Sequence, residues 1–366
     1  MSDLKRYGYT DQYDMEIKKE GIRIEEDGLI PAKITQVHRE MYKVISEYGE
    51  SNAKLKGSLY NLAEYAQDFP AVGDFVLIRY NELGDSQINK VLPRKSKFSR
   101  PNYSGHAAGY AKTILEQVVA ANFDYVFIMA SLNFDFNINR ILRYITVAWE
   151  SGGIPVVLLT KADLVEDYVK QLELVQKEAI GVEVITVSVI TRLGFDQLEK
   201  YMQPGKTLVF LGSSGVGKST LVNALAGEEI MNVRNIRQDD SKGRHTTTHR
   251  QLIMLQSGVM IIDTPGMREL GMWEIEEGLG EAFSDIENLF KECKFSNCNH
   301  KNEPGCAILE AIENGSLDVS RWKNYVQLNE EAKYTENKAA YLRQKKEYWK
   351  KMNKSAKDNS IGGNKK

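Results

Sequence analysis

Hydrophobic and polar positions follow two different patterns along this chain. Between about Leu29 and Leu92, short runs of alternating apolar and polar residues are separated by turns that carry glycine. The pattern predicts five β-strands, at Leu29–Val37, Met41–Glu47, Ala53–Leu59, Asp74–Tyr80 and Gln87–Leu92. Five short strands in so few residues predict a small closed barrel, with the OB-fold as the leading candidate.

The second pattern extends from about Gln117 to about Leu270. In this region apolar strands alternate with helical patterns. A helix is predicted at Ile138–Glu150. The strands are predicted at Tyr125–Ala130, Ile154–Leu159, Val182–Val187, Lys206–Leu211 and Gly258–Ile262. This alternation is typical of an α/β fold with a parallel sheet between helices. Beyond Leu270 the pattern becomes helical and ends in a charged helix predicted at about Val326–Asn353.

A phosphate-binding loop lies between a predicted strand and a helix predicted at Ser219–Leu225. Its sequence has the pattern G-x-x-x-x-G-K-S, in which main-chain N–H groups surround phosphate oxygens. Lys218 is expected to reach the β- and γ-phosphates, and the Ser219 hydroxyl to bind Mg²⁺. The predicted nucleotide contacts in this segment are Gly212, Ser213, Ser214, Gly215, Val216, Gly217, Lys218, Ser219 and Thr220.

A second motif, Asp263-Thr264-Pro265-Gly266, follows another apolar strand. A carboxylate at the carboxyl end of a strand can complete the coordination of Mg²⁺, and Asp263 is predicted to do so. The main-chain N–H of Gly266 is expected to contact the γ-phosphate.

A third motif, formed by Thr160, Lys161, Ala162 and Asp163, ends the strand Ile154–Leu159. The Asp163 carboxylate can accept hydrogen bonds from N1–H and the 2-amino group of guanine, a donor pair that adenine lacks. Ser188 follows the next strand and is predicted to line the same base, although Val189 stands where an alanine is usual.

The order of these motifs is informative. An ordinary GTPase carries the guanine motif after the phosphate and magnesium motifs, whereas here the guanine motif comes first. The sequence therefore predicts a circularly permuted GTPase domain. An ATP-dependent P-loop kinase is disfavoured because it leaves Asp163 without a role.

All three cysteines of the chain lie in one stretch, Cys293–Cys306, together with a histidine. The ligands Cys293, Cys298, His300 and Cys306 are separated by four, one and five residues. Three thiolates and one imidazole form a tetrahedral Zn²⁺ site. Because no coordination position is left open, we predict one structural zinc ion per chain.

The composition indicates where the protein is located and shows that charge is unevenly distributed along the chain. The 366 residues carry a net charge of −2, but residues 338–366 hold ten Lys or Arg against two acids. No apolar run is long enough for a membrane span, and the N-terminus lacks the apolar core of a secretory signal. We expect a cytoplasmic protein with a basic tail and no membrane partner. The segment Lys90–Pro101, with five basic residues and one aromatic, is either an RNA contact or a solvated linker.

Taken together, these features resemble the RsgA (YjeQ/EngC) family of small ribosomal subunit biogenesis GTPases. The resemblance implies an OB-fold RNA-binding barrel over 1–100, a permuted GTPase domain over 101–270 and a zinc-binding helical domain over 271–366. It also implies that the partners are GTP, GDP, the small ribosomal subunit and its 16S rRNA, with Mg²⁺ bound alongside GTP. We expect a monomer whose hydrolysis is stimulated by the subunit during late maturation.

The segment Gly243–Thr248 resembles switch I of that family, and one of its threonines is expected to bind Mg²⁺. Thr247 is the favoured threonine. Met267 stands where many GTPases have a glutamine that orients water, so another group must act on the water. His245 is the predicted catalytic residue beside Lys218, with His249 as the alternative.

Two other functions remain open at this stage. One is an RNA-binding scaffold that uses GTP structurally, and the other is a permuted GTPase that acts on the large subunit. The barrel at the N-terminus and the cysteine cluster near the C-terminus disfavour the large subunit.

Overall fold

A mixed sheet of eleven strands runs through the computed structural model, which describes residues 2–38, 41–57, 59, 69–102, 115–133, 136–231, 250–263 and 276–333. Together with a separate two-stranded sheet, the described residues form thirteen strands: β1 Ile30–Val37, β2 Tyr42–Ser46, β3 Gly49–Leu55, β4 Phe75–Arg79, β5 Ser86–Val91, β6 Lys97–Asn102, β7 Leu115–Ala121, β8 Tyr125–Ser131, β9 Ile154–Thr160, β10 Glu183–Val187, β11 Thr207–Gly212, β12 Arg250–Met254 and β13 Met260–Asp263.

The α-helices are Ser2–Arg6, Asp11–Lys19, Ile24–Asp27, Ile138–Glu150, Val169–Glu178, Phe195–Leu198, Lys218–Ala226, Glu276–Ala282, Ser284–Glu292 and Ala307–Glu313, followed by residues 319–333. Short 3-10 turns lie at Ala162–Leu164 and Glu199–Tyr201. Among the described residues, no helix is long and apolar enough to cross a membrane.

The first five strands close into a barrel in the order β1-β2-β3-β5-β4, with β4 pairing back onto β1. The barrel prediction is confirmed, and this strand order is that of an OB-fold. The third strand begins at Gly49 rather than at the predicted Ala53. Ser46 pairs with Gly49, so a two-residue hairpin joins β2 to β3 and the pairing starts earlier than the glycine punctuation indicated.

The remaining strands of the large sheet form the α/β part of the molecule, in the order β10-β9-β8-β11-β13-β12. All neighbours are parallel except β12, which is antiparallel to β13. Val126 and Ile128 of β8 pack in one apolar core, while Phe127 and Met129 pack in a second core on the opposite face. The carboxyl ends of β9, β10, β11 and β13 therefore meet at one edge, where ligands bind in open α/β sheets.

The barrel is joined to this sheet by main-chain pairing. β1 pairs antiparallel with β12 at Gln36↔Gln251 and Val37↔Arg250. The N-terminal helices, which the sequence patterns did not predict, pack Tyr9 and Tyr13 against Phe75 of the barrel.

A lysine is buried at this junction. The Lys33 side chain is 1% exposed, and its Nζ donates to the carbonyl of Tyr7 at 2.7 Å. The same Nζ lies 4.8 Å from the ring centroid of Phe75. The pKa of Lys33 is lowered to about 7, chiefly by burial and also by the nearby Lys95, while Asp124 and Asp74 partly offset the shift.

The basic segment Lys90–Pro101 is part of the folded structure. β6 pairs with β7 in a separate two-stranded sheet. Phe98 is 2% exposed and stacks on Phe123 with ring centroids 4.7 Å apart. Arg94 forms two hydrogen bonds of 2.7 and 2.8 Å to the buried carboxylate of Asp74. The hypothesis that this segment stacks on and neutralises RNA is therefore wrong for Phe98 and Arg94.

The helices after β13 pack against the helices Ile138–Glu150 and Val169–Glu178. The main-chain N–H of Gly278 donates to the Glu150 carboxylate at 2.8 Å, and a Cβ at this position would lie 2.2 Å from the Thr146 carbonyl oxygen. Arg321 pairs with Asp285 and donates to the Glu178 carbonyl. The predicted helix at Val326–Asn353 begins earlier, at residue 319, and its part beyond residue 333 lies outside the described residues.

Candidate nucleotide site and metal centre

The phosphate loop lies between β11 and the helix Lys218–Ala226. Gly215 and Gly217 have φ values of 75° and 101°, which an L side chain rarely adopts. The loop can curl only because these positions are glycines, and its N–H groups then point with the helix N-terminus toward an anion. The predicted loop, Gly212–Ser219, therefore has the geometry of a phosphate site.

Lys218 and Asp263 meet at the edge of two adjacent parallel strands. The Lys218 Nζ lies 3.1 Å from Asp263 Oδ1, and β11 pairs with β13 through Val209↔Ile262. An ammonium group and a carboxylate at this place provide the two charges that a Mg²⁺–phosphate complex requires. The structure thus brings together the predicted phosphate and magnesium residues.

The guanine motif lies beside Ser188 at the ends of two paired strands. Thr160 and Val187 are partners in the parallel β9–β10 pair. The Ser188 hydroxyl donates to Asp163 Oδ1 at 2.6 Å and accepts the main-chain N–H of Thr191 at 3.2 Å. Ser188 is 1% exposed, so it fixes the orientation of the Asp163 carboxylate although an alanine does not follow it.

A hydrogen bond connects the guanine motif to the phosphate loop. Thr160 Oγ1 donates to the main-chain carbonyl of Val216 at 2.7 Å. The sequence predicted Thr160 as a nucleotide contact but gave no sign of this link. The three motifs therefore form one continuous site.

Asn223 is a further residue that the motifs missed. Its side chain accepts hydrogen bonds from the N–H groups of Ile230 and Met231 at 3.1 and 2.8 Å. It also donates to the Met231 carbonyl at 2.8 Å, so it fixes the chain where it leaves the phosphate-loop helix. The predicted residues Gly266, Thr247, His245 and His249 lie outside the described residues.

The four residues of the cysteine cluster converge on one point. The ligand atoms of Cys293, Cys298, His300 and Cys306 all lie within 4.8 Å of one another. The Nδ1 of His300 lies 3.6 Å from the Cys293 Sγ and 3.5 Å from the Cys306 Sγ. Zinc–sulfur and zinc–nitrogen bonds of about 2.3 and 2.0 Å give a tetrahedron edge of about 3.5 Å. The geometry of the cluster fits Zn²⁺.

The surroundings of the cluster favour a metal as well. Burial lowers the pKa of His300, which keeps the imidazole neutral, as a metal ligand must be. Burial raises the pKa of the Cys298 thiol to about 11, so metal binding at neutral pH would have to displace the thiol proton. His300 also stacks on Phe290 with centroids 4.5 Å apart. The cluster thus suggests a structural zinc site.

The loop between the ligands is shaped by one carboxylate. Glu303 accepts hydrogen bonds from the main-chain N–H groups of Asn299, Lys301 and Asn302, at 3.1, 2.9 and 3.1 Å. His300 lies inside this turn with a φ of 56°, a left-handed conformation that is uncommon outside glycine. Glu303 therefore holds the backbone that presents the His300 ligand.

Comparison with known proteins agrees with this geometry. The model of the RsgA GTPase family matches residues 91–273, which include the guanine, phosphate and magnesium motifs. The chain belongs to the RsgA GTPase family. It is therefore a GTPase, as the motifs predicted, and the resemblance drawn from the sequence is confirmed.

Relatives in the RsgA family align over most of the chain. Small ribosomal subunit biogenesis GTPase RsgA 2 of Listeria monocytogenes is 44% identical over 355 residues, 96% of each protein. RsgA 1 of the same species is 47% identical over 329 residues, 88% of this chain and 90% of the relative. The barrel and the cysteine cluster therefore lie within regions shared with RsgA proteins.

Two solved structures share the fold. YjeQ from Thermotoga maritima superposes with a TM-score of 0.62 and 28% identity, over 83% of this chain and 98% of the other. YloQ, described as a circularly permuted GTPase, superposes with a TM-score of 0.58 and 25% identity, over 83% and 95%. The predicted permuted fold is confirmed.

Proposed function

We propose that this GTPase acts in the late maturation of the small ribosomal subunit, and that the subunit stimulates its hydrolysis of GTP. The proposal rests on the single site formed by Asp163, Lys218 and Asp263, in the permuted order that RsgA proteins share. The aligned relatives carry the name of small ribosomal subunit biogenesis GTPases. Its partners are then GTP, GDP, the subunit and its 16S rRNA, and it works in the cytoplasm, where subunits mature.

Guanine and phosphates are bound at opposite ends of the site in this proposal. Asp163 accepts the two guanine N–H donors, and Lys161 lies against the base. Ser188, which donates to Asp163 at 2.6 Å, keeps the carboxylate in the plane of the base. The loop Gly212–Thr220 donates main-chain N–H groups to the phosphates. Lys218 leaves Asp263 and turns to the β- and γ-phosphates.

Mg²⁺ bound with GTP would neutralise negative charge that develops during phosphoryl transfer. In this proposal Ser219 from the phosphate loop and Asp263 from the end of β13 would hold it. Thr247 would complete the set from switch I, and the Gly266 N–H would contact the γ-phosphate. When Lys218 leaves it, the Asp263 carboxylate becomes available to a cation.

The attacking water needs a group to orient it, because Met267 has no polar atom that can donate or accept a strong hydrogen bond. We assign this role to His245, with His249 as the alternative. Replacing His245 by alanine should then reduce the subunit-stimulated rate far more than the affinity for GTP. An unchanged stimulated rate would assign the role to His249 or to rRNA.

The units on either side of the GTPase domain have separate roles in the proposal. The barrel (residues 1–100) and the zinc domain (271–366) flank the GTPase domain (101–270), and both contact the subunit. One Zn²⁺ held by Cys293, Cys298, His300 and Cys306 stabilises the loop of the zinc domain. Switch II, just after Gly266, leads directly into the zinc domain, so a γ-phosphate contact at Gly266 can influence how the domain meets the subunit.

Co-sedimentation with separated ribosomal subunits tests this function. With a non-hydrolysable GTP analogue, the protein should pellet with small subunits and should remain in the supernatant with large ones. GDP should weaken the binding. Binding to large subunits alone would contradict the proposal.

A further inference from the structure

Two tyrosines on adjacent turns of the barrel form a stacked pair at the surface, in which Tyr48 is exposed and Tyr80 is half-buried. The rings of Tyr48 and Tyr80 stack with centroids 4.6 Å apart and an angle of 24° between their planes. Tyr48 is 61% exposed, and Leu83 on the same turn as Tyr80 is 96% exposed. Apolar side chains that face water together on neighbouring turns indicate an interaction site rather than packing.

This surface lies at the end of the barrel remote from the nucleotide sheet. The β2–β3 and β4–β5 turns both lie beside the start of β1, where Ala32 pairs with Ser46 and Ile30 pairs with Ile78. The pairing of β1 with β12 occurs at Gln36 and Val37, about 20 Å further along the strand. A partner at the two turns therefore does not compete with the junction between barrel and sheet.

The charge of the two turns selects the class of partner. Residues 46–50 and 79–86 carry four carboxylates, Glu47, Glu50, Glu82 and Asp85, against the single guanidinium of Arg79. Lys54 of β3 pairs with Asp85 at 2.8 Å, which leaves the surface acidic. An acidic surface repels a phosphate backbone, since binding to nucleic acid depends on neutralising phosphates with cations. It attracts lysine and arginine instead.

We propose that Tyr48, Tyr80 and Leu83 form a docking surface for a basic segment of a protein of the small subunit, rather than for rRNA. The proposal rests on the function proposed above. Arginine guanidinium groups stack on tyrosine rings, and tyrosine is enriched among the residues that dominate protein interfaces. The exposed carboxylates of Glu50 and Glu82 beside the rings pair with the remaining cations. Proteins that bind rRNA are rich in such cations, so the ribosomal subunit supplies this chemistry.

The test measures affinity for two probes at one salt concentration, intact small subunits and protein-free 16S rRNA, each with a non-hydrolysable GTP analogue. One variant combines Tyr48→Ser with Leu83→Ser, and a second carries Glu82→Lys. Met15→Ser is the matched control, because Met15 is 62% exposed and lies on a separate helix. All positions are exposed; circular dichroism with a thermal melt checks the fold of each variant, and GTP affinity checks its nucleotide site.

The double variant should bind small subunits about tenfold more weakly, with its affinity for rRNA unchanged. Glu82→Lys should weaken subunit binding and tighten rRNA binding, since the added cation repels a basic protein and attracts phosphate. Met15→Ser should match the wild type.

Three results would overturn the proposal. In the first, both variants retain wild-type affinity for the subunits. In the second, Glu82→Lys tightens binding to both probes, which would show that the surface faces RNA. In the third, Met15→Ser weakens binding as much as the double variant. A wild-type protein that does not bind small subunits would instead contradict the proposed function, and this proposal with it.

Discussion

Thr160 donates a hydrogen bond from its hydroxyl to the main-chain carbonyl of Val216, across 2.7 Å and 56 positions of the chain. Both residues are buried. The hydrogen bond joins the predicted guanine motif to the predicted phosphate loop, so the two segments are held at a fixed separation.

Replacing Thr160 by valine should lower both stability and GTP affinity. Valine keeps the shape of the side chain but leaves the buried Val216 carbonyl without this donor, which costs about 1–3 kcal/mol. Urea unfolding and titration with a fluorescent GTP analogue measure the two effects. Thr160→Ser, which keeps the hydroxyl, should remain close to the wild type. A valine variant with wild-type affinity would show that the link does not support the site.

Replacing Asp163 by asparagine should change the nucleotide that the protein prefers. The variant loses an acceptor for the guanine N–H groups, at a cost of about 1.5–3 kcal/mol for hydrogen bonds to a charged group. Its amide can instead donate to the C2 carbonyl of xanthine, so xanthosine triphosphate should now bind. Glu166→Gln, an exposed carboxylate three positions further on, is the control. Equal GTP affinity in Asp163→Asn and the wild type would remove the guanine assignment.

Removing the metal should unfold the loop of the cysteine cluster and leave GTP binding largely intact. The free energy of metal binding at such a site is local folding free energy. The nucleotide residues lie instead at the ends of β9, β11 and β13, which also pack in the second core, on the face of the sheet away from the cysteine cluster. Metal analysis should find about one zinc per chain, absent in Cys306→Ser and retained in Ser296→Ala. Native protein without zinc would contradict the assignment.

The buried Lys33 should make stability depend on pH. Its pKa of about 7 in the folded protein is lower than in the unfolded chain, so the unfolded state binds more protons between the two values. The free energy of unfolding therefore rises with pH from about 7 toward 10, by about 2 kcal/mol between pH 7 and 9. Urea unfolding of Lys33→Met should lose this contribution, and that of the exposed Lys56→Met should keep it. If Lys33→Met shows the same pH profile as the wild type, the pH dependence arises from another titratable group.

The sequence motifs located the nucleotide site because each motif is contiguous and follows a strand. Asp263 ends β13, and Asp163 and Lys218 lie in the segments that follow β9 and β11, so prediction of three parallel strands brings all three residues to one edge of the sheet. The cluster of Cys293, Cys298, His300 and Cys306 could also be predicted from the sequence, because all its ligands lie in one loop.

Side chains whose partners are distant in sequence were misjudged. Arg94 and Phe98 stand in a basic segment, and only the folded chain brings Asp74 and Phe123 against them. The N-terminal helices escaped detection because they are short and owe their stability to contacts with Phe75 of the barrel. Composition indicates what a segment can bind, whereas tertiary pairing decides whether its side chains are available.

Single-turnover hydrolysis of GTP, with and without isolated ribosomal subunits, tests the central claim most directly. We predict slow hydrolysis by the protein alone, strong stimulation by small subunits and none by large subunits, with all activity abolished in Lys218→Ala. A rate that small subunits leave unchanged, or that only large subunits raise, would contradict the account.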